Sequence, residues 1–200
     1  MSSSQKTILN FWFGELLDDA TFPTEKGKMW FGDGSKYDET IRSQFGADHE
    51  AARNNKLDDW KRTPQDFLAL IILLDQFSRH IYRDTPEAFV QDPQALALCL
   101  EGLQQKIDQQ LKPVERSFFY LPLEHSEDLE VQKVCVEQFR KLVSDSPAAI
   151  EFAMANSLEY AVKHFDIINR FGRFPHRNKI LGRKSTSEEV EFLKQPGSSF

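Results

Sequence analysis

The chain has 200 residues, 40% of them hydrophobic and 28% charged, with 17 Phe; a chain of that size and composition buries most of its unfolded surface in one core, which excludes a disordered polymer and any need for staples. A formal net charge of -6 excludes a general nucleic-acid binder, because phosphate affinity comes from clustered Lys and Arg. Cys99 and Cys135 both sit in apolar helical patterns and read as small buried hydrophobes rather than a disulfide, the opening residues Met1 to Lys6 lack a signal peptide's apolar region, and no stretch approaches the roughly 18 apolar residues of a membrane span, so a cytoplasmic protein is expected.

Helical punctuation recurs along the chain and strand signals are weak, so the expectation is a single all-α domain over residues 1–200. Helices are expected near 6–14, 24–31, 36–54, 64–82, 93–107, 113–121, 127–143, 147–171 and 187–195, with a short helical turn around 178–182. The first carries Phe11-Trp12-Phe13-Gly14, which with Trp30-Phe31 and Trp60 reads as core and capping rather than a stacking platform for bases. Gly32-Asp33-Gly34-Ser35 is the most flexible loop. Thr63-Pro64 opens a segment in which Phe67, Leu70, Leu74, Phe77 and Ile81 form one stripe and Leu68, Ile71 and Ile72 cover the flanks, so this is the central helix. Asp92-Pro93 and Ser146-Pro147 each place a capping side chain before a proline. Pro122 is expected to interrupt a helix, with Ser126 capping the next and His125 at its entrance. Gly172 suits a left-handed C-cap, Thr186 with Glu189 or Ser185 with Glu188 makes a capping box, and Pro196-Gly197 stops the last helix.

Three constellations could carry chemistry. In Leu74 to Arg83 the most apolar helix turns polar: Asp75 and Arg79 share a face with Tyr82, Gln76 and His80 share the next, and Arg83 follows. Such groups either pair to orient neighbouring helices or contact a ligand. In Glu115 to Asp128, Tyr120 and His125 stand beside apolar residues, and Asp128 or Glu124 could orient His125 as a general base. Residues 160–184 carry a net charge of +6 against -12 for the remainder. There Phe171 and Phe174 anchor a turn bearing Arg173, His176, Arg177 and Asn178, one helical segment after His164. Guanidinium forks suit carboxylate and phosphate oxygens; alternatively these arginines pair with the acidic remainder. No HExxH, HxH or CxxC spacing occurs and phosphate-loop, dinucleotide and nucleophile-elbow signatures are absent, so neither a metal nor a cofactor is expected.

Ile8-Leu9-Asn10-Phe11-Trp12-Phe13-Gly14, Leu73-Leu74-Asp75-Gln76-Phe77-Ser78-Arg79-His80-Ile81-Tyr82-Arg83, Phe118-Phe119-Tyr120-Leu121-Pro122 with His125-Ser126-Glu127-Asp128, and Arg170 to Asn178, in that order, resemble domain-of-unknown-function family 924. The resemblance spans nearly the whole chain and implies antiparallel helix pairs in a tetratricopeptide-repeat-like, right-handed superhelix. It brings no activity with it. The family's central motif usually has Pro and Asn where Ser78 and His80 stand, so His80 is set aside as a catalytic candidate. The expected function is a site for a small anionic, phosphate- or carboxylate-bearing ligand or substrate, with His125, His164 and His176 as acid–base candidates and Asp75, Arg79, Arg83, Tyr120, Arg173 and Arg177 as ligand contacts. The alternative is a repeat-like scaffold for a protein partner with a purely structural buried polar network. Neither nucleic acid nor a membrane is an expected partner, and the sequence does not fix the oligomeric state.

Overall fold

The structure, a computed structural model, describes residues 3–199; Met1 and Ser2, on which part of the leader reading falls, lie outside them. All regular structure among the described residues is helical. We label the helices α1 (Ser3–Phe13), α2 (Gly27–Phe31), α3 (Asp38–Arg53), α4 (Pro64–Ile71), α5 (Ser78–Ile81), α6 (Asp92–Gln104), α7 (Pro113–Glu124), α8 (Leu129–Asp145), α9 (Ala148–Phe171) and α10 (Ser187–Phe192). No described helix is long and apolar enough to cross a membrane.

The central segment forms as its pattern requires. Thr63 caps it, its hydroxyl accepting from the Asp66 amide at 3.1 Å, and Pro64 fills the first turn. Phe67, Leu68, Leu70, Ile71, Ile72, Leu74, Phe77 and Ile81 are all buried, so the segment is covered on every side. α1, α3, α6 and α7 pack around it, while α7, α8 and α9 pack successively through short connections that make neighbours antiparallel. Between α4 and α5 the chain winds as a π-helix over Ile72–Phe77, which admits one extra residue per turn and re-aims the side chains of Asp75 and Gln76.

Several boundary expectations change. α7 continues through Pro122 to Glu124, because Leu123 and Glu124 are buried and packing holds a turn that proline alone would break. His125 consequently closes α7 rather than opening α8, and the α8 cap is Asp128, whose carboxylate accepts from the amides of Glu130 and Val131 at 2.8 and 3.2 Å. Asp92 is the first residue of α6 and makes no capping bond; its carboxylate turns to arginines. Ser146 instead ends α8, its hydroxyl donating to the Leu142 carbonyl at 2.6 Å. Gly172 does adopt the left-handed conformation, φ 67°, after α9. Thr186 and Glu189 form the capping box of α10. Cys99 and Cys135 are buried free thiols.

Candidate functional site

The C-terminal half of the central segment, the α7–α8 connection, the start of α6 and the turn after α9 meet around one buried carboxylate. Asp75 is wholly buried, and its Oδ1 takes the Nδ1 of His125 at 2.7 Å and Nη1 of Arg79 at 3.1 Å, while Oδ2 accepts from Gln76 at 2.5 Å. Burial alone would raise its pKa, but Arg79 and His125 outweigh that and hold the carboxyl well below the usual carboxylate range. His125 has its pKa lowered, by burial first and by Arg79 next, against the pull of Asp75. It is therefore a neutral imidazole at pH 7 whose Nδ1–H donates a hydrogen bond to Asp75 Oδ1. Its Nε2 makes no hydrogen bond with any described residue, and 15% of the side chain is exposed.

A second carboxylate closes the arginines. Asp92 receives Arg79 through Nη1 and Nη2 at 3.0 and 3.2 Å, and Arg177 Nη1 at 3.3 Å. Arg177 also donates to the backbone carbonyl of His125 at 3.1 Å, which ties the turn after α9 to the end of α7. The rings of Phe89 and Phe174 lie over its guanidinium at 4.8 and 4.5 Å. Glu127 fixes the same turn, taking Arg183 Nη1 at 2.6 Å, Arg183 Nη2 at 2.9 Å and the Phe174 amide at 2.8 Å.

Behind His125 lies a neutral buried pair. The His164 ring is 6.4 Å from that of His125 and 5.5 Å from Phe174, and its Nδ1 meets the Tyr160 carbonyl at 2.9 Å and Glu124 Oε1 at 3.2 Å. Burial pushes His164 down to about 3, and burial with the nearby Asp75 pushes Glu124 up to about 8. The contact is thus between a neutral imidazole and a protonated acid rather than an ion pair. His176 stands beside Phe174 at 5.6 Å, with burial and Arg177 bringing it to about 4.

Asp75, Arg79, His125, His164, His176 and Arg177 are brought together; three of the residues singled out from sequence stand elsewhere. Arg83 donates to Asp38 from Nε and Nη2 at 2.5 and 2.7 Å, and His80 joins the same carboxylate at 2.7 Å, so these two pin the first residue of α3. Tyr120 donates to Asp108 at 2.7 Å under Phe139, its pKa raised by burial and by that bond. Arg173 is taken up by Glu189 at 2.6 and 2.8 Å and by the Lys184 carbonyl. Of the cationic run, Lys163, Arg170, Arg173, Arg177 and Arg183 all have carboxylate partners, so the run has largely been neutralised by the acidic remainder of the chain. Sequence reasoning missed Asp92 and the neutral state of Glu124. The Asp-Pro pair at 92 gives the stronger signal of a cap, and nothing local places it beside residue 177.

Among the described residues no group of three or more His, Cys, Asp or Glu is placed to hold a metal ion. The chemistry the cluster can perform is proton transfer at His125 Nε2 and recognition of an oxyanion by guanidinium. A family model described as a bacterial protein of unknown function, DUF924, matches residues 8–197. A solved structure of a protein of unknown function from Agrobacterium tumefaciens is similar, at 32% identity and a TM-score of 0.81, covering 96% of this chain and 98% of that one. No curated protein matches the chain.

Proposed function

We propose, for a chain that belongs to the DUF924 family of bacterial proteins of unknown function, an enzymatic site that moves a proton on a small anionic molecule bearing a carboxylate or phosphate. His125 Nε2 is the proton acceptor and donor. Asp75 is the positioning residue: buried and held by Arg79 and Gln76, it fixes the Nδ1–H tautomer and stabilises the imidazolium formed when Nε2 takes a proton. Arg79 and Arg177, which face one another across Asp92, supply the anion contact. The observation that carries this assignment is the 2.7 Å contact between a wholly buried carboxylate in a π-helical segment and a histidine whose other nitrogen is left for a ligand. π-Helical turns recur at functional sites.

The second reading, a protein scaffold whose buried polar network is purely structural, is favoured by a different observation, that Arg79, Arg173 and Arg177 each meet a carboxylate of the chain itself. The two separate in one experiment. The protein is incubated in D2O with a panel of small carboxylates and phosphate esters, and proton exchange at activated carbons is followed by NMR. An acid–base site exchanges deuterium into at least one of them, and His125→Gln slows that by about 10²–10⁴-fold. Exchange that is equal in His125→Gln, or no exchange in any compound, sinks the assignment in favour of the scaffold.

A further inference from the structure

Arg177 carries five N–H donors, yet both of its hydrogen bonds leave from Nη1. Its Nε is buried with no hydrogen-bond partner, and Nη2 donates to no described residue. The whole Nε–Nη2 edge, the side on which a guanidinium grips two oxygens at once, is therefore unused in a residue only 6% exposed. A buried N–H left unmade is costly, and native structures rarely tolerate one without a partner from solvent or ligand.

From this edge we infer that Arg177 is the seat of a planar monocarboxylate, bound bidentately through Nε and Nη2, an inference that rests on the anionic-ligand site above and names its ligand class. Two features select the carboxylate over phosphate. The rings of Phe89 and Phe174 lie 4.8 and 4.5 Å from the guanidinium carbon, and beside these apolar walls the in-plane N–H donors of the Nε–Nη2 edge suit a flat group over a tetrahedral one. The surrounding charges also balance before any ligand arrives: Asp75, Asp92 and Glu127 stand against Arg79, Arg177 and Arg183. Into that balance a single negative charge is far less costly to bring than a phosphate dianion. The depressed pKa of Arg177, brought to about 10 by burial and by Arg79, shows a cation that its present partners compensate only in part.

Acetate is the probe, titrated into the full-length protein at fixed ionic strength while the Arg177 Nε–H resonance is followed by ¹H–¹⁵N NMR. The expected result is a saturable shift with acetate, none with chloride, and at least about tenfold weaker acetate binding, read by thermal shift, in Arg177→Lys, which keeps the charge and loses the fork. His125→Gln should leave acetate affinity within about twofold, so loss of the base and loss of the seat are separate outcomes. An unmoved Nε–H, a shift equal in chloride, or tighter binding of inorganic phosphate than acetate overturns the inference. So does an Nε–H whose contact is a long-lived water that acetate does not displace. If Arg177→Lys fails to fold, the wild-type titration alone decides.

Discussion

Replacing Asp75 with Asn keeps the shape of the side chain and removes its charge, so the loss it causes measures the central ion cluster. Arg79 Nη1 lies 3.1 Å from Oδ1; at an effective dielectric of about 20 that attraction is roughly 5 kcal/mol before desolvation. Arg79 keeps Asp92 as a partner, and the amide can still accept from His125. A net cost of about 3 kcal/mol at pH 7 follows, at the lower end for breaking a buried pair from one side. For a chain of 200 residues this lowers Tm by about 6–12 °C. The pH dependence supplies the sharper check. Because the folded pKa of Asp75 lies below the ordinary carboxylate value of 3.8, its carboxylate stabilises the fold above that pH and the contribution drains away as pH falls through the folded value. Urea unfolding of wild type and Asp75→Asn at pH 7 and near pH 3 should therefore show a gap that narrows in acid. A variant within about 0.5 kcal/mol of wild type at pH 7 would refute the electrostatic account.

Glu124 gives the opposite sign. Its folded pKa, about 8 against an ordinary value of 4.5, means the protonated acid suits the fold and stability is lost as pH rises through that interval. Glu124→Gln should match wild type near pH 4 and exceed it by about 2–4 kcal/mol at pH 8, by urea unfolding; an unchanging difference would remove the buried-acid assignment. In α6, a Cβ at Gly102 would stand 2.4 Å from Phe119 Cζ, so Gly102→Ala should destabilise by about 1–3 kcal/mol despite alanine's better helix propensity. At the start of α8, Asp128→Ala should cost about 1 kcal/mol and Ser126→Ala close to nothing; the reverse order would restore Ser126 as the cap.

The helical segments were legible because their signals are local. Period-3.6 apolar stripes, Thr63-Pro64, Gly172 and the Thr186–Glu189 box each act within one or two turns. Half of the site was legible for another reason, since charged and imidazole groups among Leu74, Phe118 and Phe174 must find partners wherever the fold puts them. Which partners they find was not legible. Arg79 and Arg177 converge on Asp92 from positions 13 and 85 residues away, a pairing set by how α6 and the turn after α9 dock. The same long-range docking turned the cationic run from an open patch into a set of ion pairs, and sent Arg173 to Glu189. Boundary errors at Pro122 and Ser126 arose where burial of Leu123 and Glu124 outweighed a local helix breaker.

The protonation state of His125 tests the account most directly. With Asp75 at 2.7 Å from Nδ1 and burial holding the ring neutral, long-range ¹H–¹⁵N correlation at pH 7 should show the Nδ1–H tautomer with Nε2 bare, and Asp75→Asn should disturb that preference. A protonated Nε2 at pH 7, as the other tautomer or as imidazolium, would leave no base in the site and contradict the proton-transfer function.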